Sequence, residues 1–139
     1  MTDNVNHPKH YTSHPSGVEA IEITRWLRGP YSNACKYVMR GWDGLKGDPI
    51  EDLAKAIWYL NDAEKFPDDG RELHPQLEAI WPKYYDAEHD ENKRECLVNI
   101  LFSSEDEEHN NPPTEQIMIA KKLIQERITY LQSRPDVAL

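Results

Sequence analysis

The sequence lacks long apolar runs and has little cysteine. No apolar stretch approaches the roughly 20 residues that span a bilayer, and the N-terminal segment MTDNVNHPKHYTSHPSG has no apolar core of the kind found in signal peptides. The two cysteines, Cys35 and Cys96, lie far apart in unlike contexts. In a reducing compartment we expect both to be free, buried thiols. These absences predict a cytoplasmic protein without a membrane segment.

Several motifs of phosphate and acyl chemistry are also missing. The sequence contains no GxxxxGK[ST], no GxGxxG and no GxSxG, which argues against a Walker-type kinase, a Rossmann enzyme and a nucleophile-elbow hydrolase. The net charge of −9 is uneven, because residues 1–66 hold eight Lys/Arg against nine Asp/Glu and residues 67–139 hold eight against sixteen. An acidic second half repels phosphate backbones, so we expect no general nucleic-acid binding and no binding to acidic membranes.

Helical periodicity dominates, and no segment alternates as a half-buried strand does. We therefore predict an all-α fold, a small helical domain with a helical hairpin and a C-terminal helical extension. Ser16 and Glu19 have the spacing of a capping box and predict a first helix that stops at Gly29-Pro30. A second helix is expected over about residues 32–40. Asp48 before Pro49 is typical of a helix start, and predicts a third helix to about residue 65.

A break at residues 66–70 (FPDDG) separates two predicted parts. Residues 1–66 form a helical domain with an irregular N-terminal arm, and residues 67–139 form an acidic helical extension. Within the extension we expect a short helix stopped by Pro82, another over residues 88–102, and a strong last helix. Its apolar positions fall on one face: Ile117, Ala120, Ile124, Ile128 and Leu131. That face needs a partner surface, either this domain or a second copy of the chain, so we expect a homo-oligomer.

The second and third helices each carry a face of polar and tyrosine side chains. Helical spacing puts Asn33, Lys36, Tyr37 and Arg40 on one face of the second helix, and Asp52, Lys55, Tyr59 and Asp62 opposite the apolar stripe of the third. The connecting loop, residues 42–47, contains Lys46 and is short enough for an antiparallel hairpin. Arg, Lys and aromatic rings together suit a phosphate-bearing ligand. Ordinary solvated helix faces show the same spacing, so both interpretations stay open.

The sequence also contains candidate ligands for zinc and for magnesium. His7, His10 and His14 could supply three imidazoles to zinc, but Pro8 prevents a helical site and no cysteine is adjacent, so we expect no metal site. Glu19, Glu22, Asp52 and Asp62 could hold magnesium as in all-helical nucleotide pyrophosphohydrolases. The third helix lacks the second acidic repeat of that class, and Glu19 is already explained as part of a helix cap.

Five blocks of residues occur in the order found in one known family: Asn6-His7-Pro8-Lys9-His10-Tyr11, Gly17-x-Glu19-x-Ile21-Glu22, Asn33-x-x-Lys36-Tyr37-x-x-Arg40, Lys46-Gly47, and Asp52-Leu53-x-Lys55-Ala56-x-Trp58-Tyr59-Leu60. Over about residues 5–65, the chain therefore resembles the SaV-like family of small phage proteins. This family is a domain of unknown function that includes a coliphage deoxynucleotide kinase without a Walker motif. The resemblance implies a phage protein of the host cytoplasm that handles nucleotides, with ATP and magnesium as cofactors if it is a kinase.

We assign the expected roles on that basis. Arg40, Lys36 and Lys46 would neutralise phosphates with help from Lys55, and Tyr11 or Tyr37 would stack on the base. Asp52 would hold Lys36 or magnesium, and His7 and His10 would bind the ligand from the arm, with Asn33 and Tyr59 completing the site. Arg40, Lys36 and Asp52 are the expected catalytic residues of a nucleoside monophosphate kinase.

Two further hypotheses stay open. One is a non-catalytic protein that sequesters a nucleotide, such as a host immune signal, between subunits. The other is an inhibitor that binds a host protein and uses its acidic second half, which carries a net charge of −8, as a nucleic-acid mimic.

Overall fold

A computed structural model describes residues 14–44, 47–65, 74–102 and 113–134. These residues form six helices: α1 (Ala20–Thr24), α2 (Gly29–Trp42), α3 (Pro49–Lys65), α4 (Pro75–Ala87), α5 (Glu91–Leu101) and α6 (Pro113–Gln132). The described part of the chain contains no strand, so the all-α prediction is confirmed. None of its helices is both long and apolar enough to cross a membrane.

The third predicted helix is confirmed at both ends as α3. Asp48 Oδ1 accepts hydrogen bonds from the backbone N–H groups of Ile50 at 2.9 Å and Glu51 at 3.4 Å. Pro49 occupies the first helical position, where a missing N–H costs nothing. The helix end at Lys65 also agrees with the prediction.

The predicted first helix is wrong in both start and length. Gly17 adopts φ +76° and donates its N–H to the His14 carbonyl at 3.0 Å, which closes a turn where the helix was expected. The N-cap is instead Glu19, three residues after the predicted Ser16, and the Glu22 carboxylate accepts from the Glu19 N–H at 2.7 Å. The resulting α1 has only five residues. Gly29-Pro30 then starts α2 instead of stopping α1, since proline is readily accommodated in a first helical turn.

Pro82 does not stop the fourth helix as predicted, because α4 continues through it to Ala87. Proline removes the hydrogen bond to the carbonyl of Glu78, four residues earlier. Both residues are exposed, so water can satisfy that carbonyl.

The described helices share one apolar core. Helices α2 and α3 pack against each other, α6 packs on α3 and α5, and α5 also contacts α2. The predicted stripe of α6 is fully used within the chain, since its five residues are each at most 6% exposed: Ile117, Ala120, Ile124, Ile128 and Leu131. The stripe therefore gives no support to a second copy as its partner. The boundary predicted at residues 66–70 lies outside the described residues, and the two-part division stays a prediction.

Both cysteines are free and buried, which confirms the prediction for them. Cys35 on α2 and Cys96 on α5 are each 0% exposed. Burial raises the pKa of the Cys35 thiol to about 12.

Candidate functional site

The antiparallel pair α2 and α3 crosses closely at Gly41. A Cβ atom at this position would lie 2.9 Å from the Asp52 Cβ, 3.1 Å from the Leu53 Cγ and 3.1 Å from the Pro49 carbonyl oxygen. Only glycine leaves room for this approach. The close crossing brings the last turn of α2 against the first turn of α3, so their polar side chains can meet.

Three cationic side chains surround one tyrosine ring at the α2–α3 face. From the centroid of the Tyr37 ring, Lys36 Nζ lies at 4.7 Å, Lys55 Nζ at 5.5 Å and Arg40 Cζ at 5.8 Å. We call Lys36, Arg40, Lys55 and Tyr37 the cationic face. The structure thus brings together, from two helices, four residues that helical spacing and the predicted hairpin had grouped.

A second tyrosine supports the first. The rings of Tyr37 and Tyr59 are nearly parallel, 10° apart with their centroids separated by 5.9 Å. Both side chains are half-buried and pack against the apolar core. Tyr59 and the core therefore support the Tyr37 ring near the three cations.

Asp52 orients Arg40. Its carboxylate Oδ2 accepts from Arg40 Nε at 3.1 Å, and Asp52 is only 2% exposed whereas the Arg40 side chain is 20% exposed. Asp52 therefore pairs with Arg40 and not, as expected, with Lys36. A buried carboxylate without a cation would be costly, so the pair holds the guanidinium in place.

The remaining predicted residues fall into two groups. Asn33 donates from Nδ2 to the Gly29 carbonyl at 3.1 Å, so its amide is engaged within its own helix. Lys55 also lies 3.4 Å from Glu51 Oε1, one turn earlier on α3. His7, His10, Tyr11 and Lys46 lie outside the described residues, and their predicted contacts with a ligand stay predictions.

The acidic residues considered for magnesium do not form a fitting site. Asp52 is held by Arg40, and Glu22 caps the backbone N–H of Glu19. In the segments that the structure describes, no three His, Cys, Asp or Glu side chains are grouped as metal ligands. His14, the one described member of the histidine set, instead stacks on Tyr84 with ring centroids 3.7 Å apart.

Sequence reasoning missed a buried charged cluster around Lys93. Lys93 is 1% exposed, and its Nζ lies 2.6 Å from Glu88 Oε1 and 2.7 Å from Asp43 Oδ2. His14 Nε2 lies 3.6 Å from Glu88 Oε2. We call Lys93, Asp43, Glu88, His14 and Tyr84 the Lys93 cluster. It joins the turn before α1 to Asp43 at the end of α2 and to the segment 88–90 before α5.

Opposing effects set the pKa values in this cluster. Burial alone would lower the pKa of Lys93, but Tyr84, Asp43 and Glu88 outweigh burial and raise it. The pKa of His14 is lowered, first by burial and then by the Lys93 charge, against the opposing effect of Glu88. Lys93 is therefore a permanent buried cation, and His14 favours its neutral form.

One sequence signal could have revealed this cluster. Lys93 shares a helical face with Cys96, Leu97 and Ile100, at steps of three, one and three residues, and all four are buried. A lysine in an apolar stripe needs carboxylate partners. Helical periodicity could therefore have predicted that Lys93 is buried and paired with a carboxylate. It could not have identified Asp43 and Glu88 as the partners.

A small recess near the end of α2 shares no lining residue with the cationic face. It has a volume of about 260 Å³ and is lined by Trp42, Asp90, Asn92, Leu123, Glu126, Arg127 and Tyr130. Arg127 donates to the Trp42 carbonyl at 2.9 Å, and the Trp42 indole donates to Asp90 at 3.0 Å. These bonds attach α6 and α5 to the end of α2.

One family match covers almost the same residues as the resemblance described above, and it assigns no activity. Residues 5–61 match a family described as a protein of unknown function, DUF3310. That span includes the cationic face and all of α1 and α2. Neither the curated proteins nor the solved structures gave a match.

Proposed function

We propose that the chain binds a nucleotide, with the phosphate held at the cationic face of α2 and α3. The observation that carries the proposal is the convergence of Lys36, Arg40 and Lys55 within 5.8 Å of the centroid of one tyrosine ring. Asp52 and Glu51 pair with Arg40 and Lys55, so three cations with two carboxylates leave a net positive charge at this face, which favours an anion. The resemblance to SaV-like phage proteins supports a phage origin and deoxynucleoside monophosphates as the ligand class.

The pairing of Arg40 with Asp52 favours recognition of an anion by a fixed guanidinium. Arg40 donates from Nε to Asp52 Oδ2 at 3.1 Å, and this bond holds the planar guanidinium charge near the Tyr37 ring. A preorganised charged group loses less entropy when a ligand binds. Lys36 and Lys55 add mobile point charges near the Tyr37 ring.

Nucleotide binding is better supported than phosphoryl transfer. The phosphates of ATP would suit a cationic face, but a magnesium ion held by Asp52 would have to displace Arg40. The kinase activity implied by the resemblance is a separate proposal, which the assay below distinguishes from binding alone.

Lysine substitutions test the proposal most cleanly, because they leave the buried Asp52 paired. Each of the four deoxynucleoside monophosphates is titrated calorimetrically into the full chain and into the Lys36→Gln and Lys55→Gln variants. A hydrogen bond to a charged group is worth roughly 1.5–3 kcal/mol, so Lys36→Gln should weaken Kd by about tenfold or more. Lys55, whose side chain is 44% exposed, should contribute less.

Lys83→Gln and Lys122→Gln are matched controls. Both lysines are exposed on other helices, and their loss changes the net charge by the same amount. They should leave Kd within about twofold of the unsubstituted chain. Equal weakening by all four substitutions would show a long-range charge effect and would contradict a site at the cationic face.

Incubation with a deoxynucleoside monophosphate and ATP then separates the two classes of activity. Appearance of the diphosphate identifies a kinase. Recovery of the intact monophosphate after denaturation, with no diphosphate formed, identifies a protein that sequesters its ligand.

A further inference from the structure

Trp58 differs from the other tryptophans of the chain, all of which the structure describes. It is 64% exposed, whereas Trp42 is 2% and Trp81 7% exposed. Trp26 is half-buried and stacks on His74 at 4.1 Å. An indole left in water forgoes the stabilisation that burial of a large apolar ring provides. The exposed ring of Trp58 is therefore available to a ligand.

Trp58 lies beside the cationic face on α3. Lys55 precedes it by one helical turn, and the Tyr59 ring meets the indole edge-on, with centroids 5.0 Å apart and planes at 85°. Tyr59 in turn stacks on Tyr37. The three rings thus form a row from the half-buried centre of the cationic face to the exposed Trp58.

The other rings of the row are less available for stacking. Tyr37 is in contact with Tyr59 and three cationic groups, and both tyrosines are half-buried against the core. The expected stacking of a base on Tyr37 would have to compete with these contacts. Trp58 has the largest π surface of the three and the highest exposure.

We propose that Trp58 is the stacking platform for the nucleobase of the ligand whose phosphate binds at the cationic face. This inference rests on the proposed nucleotide binding and adds a requirement for an aromatic base. A bare phosphate or a sugar phosphate would use only the cations. Because every base has a π face, stacking on an exposed indole gives affinity with little discrimination among bases.

The surroundings of Trp58 favour a small aromatic ligand over a second protein. The exposed residues next to it on α3 are small or polar, namely Glu51, Ala54, Lys55 and Asn61. A stable protein interface needs a contiguous apolar centre, which a single indole among such residues does not provide. A planar base needs only the one ring.

The test compares ligands with and without a base on the full chain. A deoxynucleoside monophosphate and deoxyribose 5-phosphate are titrated into the unsubstituted protein, Trp58→Leu and Trp58→Phe. Trp58→Leu should weaken monophosphate binding by about five- to 150-fold, the range of one base–aromatic stack. Binding of deoxyribose 5-phosphate should not change, and Trp58→Phe should retain most of the monophosphate affinity. Tyr130→Leu, which removes a 48% exposed ring on α6, is the control and should change neither affinity.

Fluorescence gives a second measurement. Stacking on Trp58 should quench part of the tryptophan emission as the monophosphate binds, and Trp58→Phe should abolish that quenching while keeping most of the affinity.

The outcomes separate this inference from the proposed function. If Trp58→Leu binds the monophosphate normally while Lys36→Gln does not, Trp58 is not the platform and the cationic face still binds nucleotide. If the unsubstituted chain binds neither compound, the proposed function fails and this inference fails with it. If Trp58→Leu leaves both ligand affinities unchanged but alters the sedimentation coefficient, the inference is also overturned. The exposed indole would then be a contact between copies of the chain.

Discussion

The close crossing at Gly41 predicts that Gly41→Ala damages both stability and the cationic face. The added Cβ would lie 2.9 Å from the Asp52 Cβ and 3.1 Å from the Pro49 carbonyl oxygen. Neither atom is the end of a flexible side chain, so the two helices must move apart. Asp52 moves with α3, and Arg40 loses the partner that holds it at 3.1 Å.

Two effects of opposite sign set the magnitude. Overpacking a close-packed site costs roughly 1–3 kcal/mol, while alanine in place of glycine inside a helix gains up to about 1 kcal/mol. With the helix gain taken at its full value, the balance is a destabilisation of up to about 2 kcal/mol. For a chain of 139 residues, about 2 kcal/mol lowers Tm by roughly 7 °C.

Gly29→Ala provides the matched control within the same helix. Gly29 is the first residue of α2, and a Cβ there would meet nothing within 4 Å. Thermal unfolding followed by circular dichroism should show the control at or slightly above the Tm of the unsubstituted chain. The reasoning is refuted if Gly41→Ala melts no lower than Gly29→Ala. If Gly41→Ala melts lower but binds deoxynucleoside monophosphates normally, the link between crossing and site is refuted.

Three further predictions concern buried groups. The pKa of His14 is held below 6.5, first by burial and then by Lys93, so the unfolded chain takes up the proton more readily. The free energy of unfolding should therefore fall as pH drops below about 6.5. In urea unfolding, His14→Gln should reduce this fall in the midpoint concentration with decreasing pH. An unchanged dependence of the midpoint on pH would contradict the prediction. Lys93→Met leaves Glu88 buried without its cation and should cost roughly 3–5 kcal/mol in urea unfolding, partly recovered by adding Glu88→Gln; no recovery would refute the pairing. Burial raises the pKa of Cys35 to about 12 and that of Cys96 well above its usual value. A thiol reagent at about pH 8 should therefore label neither cysteine until guanidinium unfolds the chain. Rapid labelling of the folded chain would contradict this prediction.

Local chemistry explains why α3 could be predicted and α1 could not. The start of α3 depends on a cap and a proline within four consecutive residues, and these contacts form wherever the helix packs. For α1, the spacing of Ser16 and Glu19 predicted a cap, but Gly17 forms a left-handed turn with φ +76° there and the helix is capped at Glu19 by Glu22 instead. Helical spacing does not encode such a turn.

The grouping of site residues was predictable only in part. Helical spacing put Lys36 and Arg40 on one face of α2, and the structure adds Lys55 from α3 at the same tyrosine ring. The partner of Asp52 depends on the depth of the crossing at Gly41. Because that depth is a tertiary property, spacing along either helix could not choose between Lys36 and Arg40.

The charge distribution leads to a last prediction about ligand size. The three cations of the cationic face occupy one small area, while the chain carries a net charge of −9 and residues 67–139 carry −8. A mononucleotide can place its phosphate among the cations and touch little else. An oligonucleotide must extend beyond them, where its further phosphates meet the repulsive field of a protein of net charge −9. We therefore expect a deoxythymidine decamer to compete for the site no better, molecule for molecule, than a deoxythymidine monophosphate, as measured by fluorescence anisotropy with a labelled nucleotide. A decamer that binds more than about tenfold tighter would indicate a continuous cationic track, and the small-ligand interpretation of the cationic face would have to be abandoned.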